Sequence, residues 1–229
     1  MLKFYGSLFL FVRALIRIFY RKYSVFSPNS SKGPIVYIAH HQNLFGPFVI
    51  LLSFPHHLHA WILDVFIDQK TCYKQYVDYT FTKRFGWNRT ISKLLAWPIS
   101  FGISKLLSSG KGIPVYRGSK KIMNTMNLSV EALQKGESIV IFPDIDYQDS
   151  SSETKDLYDG FLYLEKYYYR KTRKHVCFVP LYASKMSRLV ISGEKIYFTG
   201  EEDFLSERKV VLQKIKDNLN KLASICGDT

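Results

Sequence analysis

Short apolar runs rich in valine and isoleucine alternate with helical patterns along most of this chain. The runs, bounded by glycine, proline or polar residues, predict strands at residues 34–39, 58–63, 113–116, 138–142, 176–181, 188–192 and 195–198. Helical patterns cover residues 2–22, 47–54, 74–84, 90–107, 119–135, 157–170 and 207–224. Strands that alternate with helices favour a layered arrangement in which helices pack on the sheet. The sequence therefore predicts an α/β fold with a mixed, mainly parallel sheet flanked by helices.

Positive charge is concentrated in the first half of the chain. Residues 1–130 carry 17 Lys and Arg and three acids, whereas residues 131–229 carry 15 Lys and Arg and 16 acids. Such asymmetry indicates an anionic partner, either a nucleic acid or a phospholipid membrane. The basic residues lie among Phe, Leu, Ile, Trp and Tyr, and no nucleic-acid-binding module is recognisable. We therefore expect an anionic phospholipid membrane, and no nucleic acid, as the partner.

The three scattered cysteines predict no disulfide framework and favour a reducing, intracellular setting.

Residues 1–26 combine a nearly continuous apolar run, which includes Phe9 and Phe11, with regularly spaced arginines. Arg13, Arg17 and Arg21 are four residues apart, so they share one face of a helix. The uncharged run at residues 4–12 is too short to span a bilayer core of about 30 Å. We predict a helix that lies in the plane of the membrane, at its cytoplasmic face, with the arginines at the level of the phosphates. The alternative is an amphipathic helix that packs on the domain and presents a solvated basic face.

Two further apolar segments lie in the same basic half of the chain. Residues 44–63 carry no formal charge, but Pro47 and Pro55 favour a buried helix and a core strand over a transmembrane helix. Residues 85–105 mix large apolar residues with Lys and Arg, which is typical of a second interfacial helix or of a helix that faces the core. We predict a membrane-anchoring helix at residues 1–30 and one α/β domain at residues 31–229.

Residues that can carry chemistry follow the predicted strands. His40 and His41 come directly after the first strand, where a neutral imidazole can act as a general base. Arg117 follows a short strand that begins after Gly112, and its guanidinium can bind a phosphate bidentately. Two other runs contribute Phe142, Pro143, Asp144 and Asp146, and Val179 and Pro180. Because functional groups of open α/β folds lie at the carboxyl ends of strands, these residues form a candidate site.

In their order and spacing, these four groups resemble the sequence blocks of the glycerolipid acyltransferase family, the lysophosphatidate acyltransferases and their relatives. The family's Asn-His-Gln-Ser-x-x-Asp-Pro block resembles residues 39–47, and its Gly-x-Pro-Val-x-Arg block resembles residues 112–117. Its Phe-Pro-Glu-Gly-Thr-Arg-Ser block resembles residues 142–148, and its Val-Pro-Val strand resembles residues 179–181. The resemblance extends over residues 33–198.

This resemblance implies a membrane-associated acyltransferase of phospholipid biosynthesis. Such an enzyme moves a fatty acyl group from acyl-CoA or acyl-carrier protein to the hydroxyl of a glycerol(phospho)lipid, for example a lysolipid. By register, the resemblance implies that His41 is the general base, and it places the substrate-binding residues at Gly112, Arg117, Phe142, Pro143, Asp144, Val179 and Pro180. The acyl carrier is then a co-substrate, and neither a cofactor nor a metal ion is implied.

The sequence departs from the family pattern at two places. The acid that orients the histidine in the family corresponds to Gly46, which cannot take that role. Asp64, Asp144 or Asp146 is the candidate replacement. In the third block, Gly-Thr-Arg-Ser is replaced by residues 145–148, so a phosphate-binding arginine is missing, and Lys120, Lys121 or Lys155 is the candidate substitute. Two hypotheses follow: an active acyltransferase that uses His41, and a catalytically lapsed relative that binds lipid or a partner enzyme.

Overall fold

The computed structural model describes residues 4–27 and 33–228. The helices are α1 (Ser7–Phe19), α2 (Phe45–Ser53), α3 (Gln69–Gln75), α4 (Arg89–Ser109), α5 (Ile122–Gln134), α6 (Leu164–Thr172) and α7 (Phe204–Ile225). The strands are β1 (Ser24–Phe26), β2 (Val36–Ala39), β3 (Leu58–Leu63), β4 (Ile113–Val115), β5 (Ser138–Ile141), β6 (Phe178–Ala183) and β7 (Leu189–Ser192). The ends of the predicted anchor, residues 1–3 and 28–30, lie outside the described residues.

The chain packs as two compact units. The smaller unit contains the residues up to Leu15 together with His59–Thr125, and the larger unit contains Ile16–Leu58 together with the residues from Met126 onward. The chain therefore passes from the smaller to the larger unit within α1.

The larger unit is built on a sheet with the strand order β1-β7-β6-β2-β5. The neighbours in this sheet are parallel, except that β6 and β7 are antiparallel. Every residue of β2 and of β6 is buried, as expected for central strands that are covered on both faces. In the smaller unit, β3 and β4 form a parallel pair, and α3 and α4 pack together. The predicted fold class is confirmed: the protein is α/β, with a mixed, mainly parallel sheet flanked by helices.

The structure differs from the sequence predictions at three places. Residues 195–198 do not form a strand, because only Ile196 pairs, in an isolated bridge with Phe178. The helix predicted at residues 74–84 begins earlier, at α3, where the Asp68 carboxylate accepts hydrogen bonds from the main-chain N–H groups of Lys70 and Thr71. It continues as the π-helical segment Tyr76–Arg84. The strand β1 has only three residues and was not predicted.

The helix α1 has no buried residue. Its exposed large apolar side chains recur at helical spacing, namely Leu8, Phe11, Leu15, Ile18 and Phe19, and Arg17 is exposed among them. The Arg17 Nε donates a hydrogen bond to the Leu52 carbonyl at 2.8 Å, and the Arg13 guanidinium lies over the Tyr5 ring. No helix in the described part of the chain is both long and apolar enough to cross a membrane.

Phe9 differs from the other apolar residues of α1. Its main-chain N–H donates to Ser109 Oγ at 3.0 Å, and its ring lies so close to Gly110 that a Cβ there would be 2.9 Å from Phe9 Cδ2. Within the predicted membrane-facing set, Phe9 thus contacts the end of α4, whereas Phe11 is exposed.

Candidate functional site

The candidate site lies at the carboxyl ends of β2 and β5. These two strands are parallel neighbours, with Ile38 opposite Ile141. The residues that follow them, His40 and His41 after β2 and Asp144 after β5, are therefore brought together at one edge of the sheet. Both histidines and Asp144 belong to the larger unit.

Asp144 forms a buried pair with His40. The distance from His40 Nδ1 to Asp144 Oδ1 is 2.5 Å, and the two residues are only 3% and 5% exposed. The second ring nitrogen, Nε2, lies 3.0 Å from the Ser151 carbonyl oxygen. Since both ring nitrogens face oxygen acceptors, His40 has no open lone pair that could take a proton from a substrate. His40 therefore connects Asp144 to the loop that contains Ser151.

The other oxygen of Asp144 holds the main chain of His41. The His41 N–H donates to Asp144 Oδ2 at 2.8 Å. A single carboxylate thus fixes the ring of one histidine and the backbone of the next. Asp144 was one of three candidates to orient the His41 ring, and its two oxygens bind the His40 ring and the His41 main chain.

The His41 ring is half-buried, and its edge approaches Phe142 and Tyr147, with ring centroids 6.0 and 6.1 Å away. Its Nδ1 accepts a hydrogen bond from the Leu44 N–H at 3.1 Å. A neutral imidazole that accepts at Nδ1 carries its proton on Nε2. In a Ser-His-Asp arrangement the polarity is opposite, since a carboxylate accepts from Nδ1–H and leaves the Nε2 lone pair for the substrate proton.

A tight turn after His41 produces this contact. Gln42, Asn43 and Leu44 all have left-handed backbone angles, with φ of 45°, 49° and 73°. Such angles are uncommon for residues with a Cβ, and three in succession turn the chain back so that Leu44 reaches the His41 ring. Helix α2 begins at the next residue, and the Gly46 N–H donates to the His41 carbonyl at 3.1 Å.

Gly46 occupies a position that has no room for a side chain. A Cβ at this residue would lie 2.0 Å from the main-chain oxygen of His40. The aspartate that the family carries here is therefore incompatible with the backbone of this turn. The glycine is a steric requirement of the observed fold.

The other candidate carboxylates lie elsewhere. Asp146 is in an exposed turn, where its Oδ1 accepts from the Gln148 N–H at 3.0 Å. Asp64 belongs to the smaller unit, at the start of the 3₁₀ turn Asp64–Phe66. Among the three predicted replacements, Asp144 is the one that the described contacts join to the His40–His41 segment.

The polar loop at residues 149–155 supports His40 from the other side. Lys155 pairs with Asp149 at 2.7 Å, and this hydrogen bond holds the pKa of Asp149 well below its usual range. The Thr154 N–H donates to Asn220 Oδ1 at 2.7 Å, which joins the loop to α7. Since its ammonium group is bound to Asp149, Lys155 is a poor candidate for the missing phosphate ligand.

A different lysine lies at this site and was not identified from the sequence. Lys185, in the connection between β6 and β7, donates from Nζ to the Ser150 carbonyl at 2.8 Å. The same Nζ lies 5.2 Å from the centroid of the Phe45 ring. No sequence block contains this residue, so only the fold reveals it.

The remaining predicted residues are distributed over both units. Gly112 and Arg117 flank β4 in the smaller unit, where a Cβ on Gly112 would lie 2.3 Å from Ile62 Cδ1 and where Arg117 is in an exposed turn. Val179 and Pro180 are buried within β6, paired with β2. The described residues contain no group of three His, Cys, Asp or Glu side chains that could hold a metal ion.

Comparison with known proteins gives one informative likeness. No protein-family model matches the chain, and no curated protein matches it by sequence. The structure is similar to the crystal structure of the 1-acyl-sn-glycerophosphate (LPA) acyltransferase PlsC from Thermotoga maritima, with a TM-score of 0.52 and 14% sequence identity. The match covers 94% of this chain and 78% of that one. The chain is therefore similar to that protein in its α/β fold.

Replacement of Asp144 by alanine is expected to destabilise the protein strongly. The change leaves the buried His40 ring and the His41 N–H without their acceptor, which typically costs about 3–5 kcal/mol for a broken buried pair. Urea denaturation of the purified variant measures this loss. The matched control is Asp146→Ala, at an exposed carboxylate two residues away, for which we expect a change below about 1 kcal/mol. Equal stability of the two variants would contradict the bridging role of Asp144.

Introducing the aspartate of the family motif at position 46 is expected to lower the stability of the protein. In Gly46→Asp, the new side chain overlaps the His40 carbonyl, and we expect a loss of about 3 kcal/mol in the free energy of unfolding with no gain in activity. Gly160→Asp is the matched control, because a Cβ at Gly160 meets no atom within 4 Å. Thermal denaturation compares the two. A Gly46→Asp variant as stable as wild type would show that the turn is not crowded.

Proposed function

We propose that this protein is a membrane-associated acyltransferase that moves a fatty acyl group from acyl-CoA or acyl-carrier protein to a hydroxyl of a glycerol(phospho)lipid. The observation that carries the proposal is the half-exposed His41 ring, placed at the carboxyl end of the central strand β2 and anchored through its main chain by Asp144. The fold likeness to a lysophosphatidate acyltransferase supports the reaction class. The resemblance of the four sequence blocks supports the same lysolipid acceptors and a place in phospholipid biosynthesis.

In this proposal, His41 is the general base. Its Nε2 takes the proton of the acceptor hydroxyl while the hydroxyl oxygen attacks the thioester carbonyl. The new ester C–O bond forms, the C–S bond breaks, and the thiolate of the acyl carrier leaves and receives the proton. In this proposal the reaction uses no metal ion and no cofactor, and the acyl carrier is a co-substrate. Arg117 is assigned to the phosphate of the acceptor.

The tautomer of His41 limits the expected rate. To act as a base at Nε2, the ring must carry its proton at Nδ1 and give up the hydrogen bond from the Leu44 N–H. One such bond contributes about 1 kcal/mol. The missing orienting carboxylate is the larger handicap, since neutralising the aspartate of a serine-protease triad lowers turnover by roughly 10⁴-fold. We therefore propose a slow enzyme compared with one that carries the full histidine–aspartate motif.

A second candidate function is favoured by the same turn. The crowded Gly46 and the donor N–H of Leu44 suit a fold that retains lipid binding or binds a partner enzyme without catalysis. In that case the Nε2–H of His41 serves as a hydrogen-bond donor to a bound lipid. The two candidates differ in turnover alone, so one assay separates them.

The decisive experiment compares wild type, His41→Ala and His56→Ala. Each purified protein is incubated with acyl-CoA or acyl-carrier protein donors and a panel of lysolipids, and acyl transfer is followed by mass spectrometry. We expect His41→Ala to lower turnover by at least about 100-fold, since a positioned general base contributes that much or more. His56→Ala is the matched control, because His56 is an exposed histidine. Equal, background-level turnover by wild type and His41→Ala would remove the enzyme proposal and leave the binding function.

Membrane association, at the cytoplasmic face, is part of the proposal. The exposed apolar side of α1 supports it, because apolar side chains at helical spacing suit insertion into the headgroup region. Arg13, Arg17 and Arg21 contribute the positive charge that anionic lipids attract.

Replacement of Phe11 and Ile18 by serine is expected to weaken binding to vesicles that contain phosphatidylglycerol. These side chains are 67% and 73% exposed, so the change leaves the packing of the protein intact while it removes apolar contact with lipid. Sedimentation with vesicles should show a loss of at least about tenfold in the partition coefficient. Ile225→Ser, at an exposed position of α7, is the control and should bind as wild type does. Unchanged partitioning of the double variant would refute the role of α1.

A further inference from the structure

The helix α4 buries small residues and exposes large apolar ones. Its buried residues are small and lie four apart, namely Ser92, Ala96, Ser100 and Ser104. Six of its large apolar residues are exposed, namely Ile91, Leu94, Leu95, Trp97, Ile99 and Phe101, whereas Ile103, Leu106 and Leu107 near its end are half-buried. A helix on the surface of a water-soluble domain shows the opposite arrangement, with its large apolar side chains facing the core.

The buried side of α4 is adapted to close packing. The hydroxyls of Ser92, Ser100 and Ser104 donate to carbonyls of their own helix, so they bring no unpaired donor into the interface. Ala96 packs against Val77 and Phe81 of the π-helical segment. Small residues four apart allow helices to approach closely, which is the usual way in which helices pack in lipid, where large side chains have no reason to be hidden.

The exposed side carries large apolar groups that a bilayer can accept. Leu94 is 76% exposed and Trp97 is 64% exposed. Together with Tyr73, Thr90, Ile91 and Lys93, they line an apolar groove of about 560 Å³. Tryptophan is enriched where protein meets the headgroup region, because its ring is apolar and its N–H is polar.

Positive charge lies beside this apolar surface. Lys93 and Lys105 lie on the helix itself, whereas the Arg89 guanidinium is paired with Asp78 at 2.8 Å. The sequence contains no Asp or Glu between Asp78 and Glu131. The Lys105 ammonium lies 5.9 Å from the Phe101 ring centroid, so cation and aromatic group are adjacent. Such a combination is complementary to anionic headgroups above acyl chains. The charges and Pro98 suit a helix that lies in the interface.

We propose that the exposed face of α4, defined by Ile91, Leu94, Leu95, Trp97, Ile99 and Phe101, is a second lipid-contact surface that lies in the interface of an anionic phospholipid membrane. The surface goes beyond the proposed function, because it assigns lipid contact to a different element from α1 and does not depend on acyl transfer.

Depth-dependent fluorescence quenching tests this placement directly. The chain contains three tryptophans, so the full chain with Trp61→Phe and Trp87→Phe retains Trp97 as the only reporter. The probe is a vesicle of phosphatidylglycerol and phosphatidylcholine that carries bromine at defined acyl-chain positions. We expect a blue shift and quenching of Trp97 that is strongest for bromine near the headgroups. Trp97→Phe, in an otherwise unchanged chain, gives the complementary measurement and should lose most of the quenchable signal.

A binding measurement provides the second arm. Leu94→Ser combined with Trp97→Ser should lower the partition coefficient for these vesicles by at least about tenfold, whereas Leu205→Ser, at an exposed position of α7, should not. High salt should weaken the binding of every variant. If wild type binds the vesicles while Trp97 remains unquenched, and the double variant binds equally well, the α4 proposal is wrong and the α1 proposal stands. No acyl donor is present, so this outcome leaves acyl transfer untouched.

Discussion

The candidate site depends on the two hydrogen bonds that the Asp144 carboxylate accepts. It lies after β5 and uses one oxygen for the His40 ring and the other for the His41 main chain, so it joins the ends of two parallel strands. A buried carboxylate is costly unless its oxygens are satisfied, and here both have nitrogen partners. The turn from His41 to Gly46 starts from this fixed point. The main chain of His41, which carries the ring, is thus held by Asp144.

The histidine and the carboxylate are arranged differently here from the histidine–aspartate pair of the acyltransferase motif. In the glycerolipid acyltransferases that the sequence resembles, a carboxylate five residues after the histidine orients its ring. Here the Asp144 carboxylate, which follows another strand, supports the preceding residue, His40, while a main-chain N–H contacts the ring of His41. A main-chain donor favours one tautomer, as a carboxylate does, but with the opposite polarity. The same backbone can therefore hold an imidazole in place while it favours the tautomer with its proton on Nε2.

The sequence predicts the framework better than the contacts. Buried parallel strands such as β2 and β6 are continuous apolar runs, which a single sequence displays. The role of His40 was not predicted, because its partner Asp144 is 104 residues away and becomes a neighbour only through the pairing of β2 with β5. Lys185 was missed for a similar reason, since it reaches the site from the β6–β7 connection. The steric requirement for Gly46 depends on three left-handed residues that no local propensity indicates.

The buried residues of α4 are a different case. Small residues recur every four positions in the sequence of this helix, namely at Ser92, Ala96, Ser100 and Ser104. The sequence displays this spacing, but only the structure shows that the small residues form the buried side of the helix.

The small-residue side of α4 has a consequence for the protein away from lipid. With six large apolar side chains facing outward, the helix gains little stability from burial in its own unit and presents an apolar surface to water. Surfaces of this kind pair with one another when nothing else covers them. In detergent-free buffer the chain should thus self-associate in a concentration-dependent way, and a dimer or larger species that forms through this face should dissociate when detergent or lipid covers it.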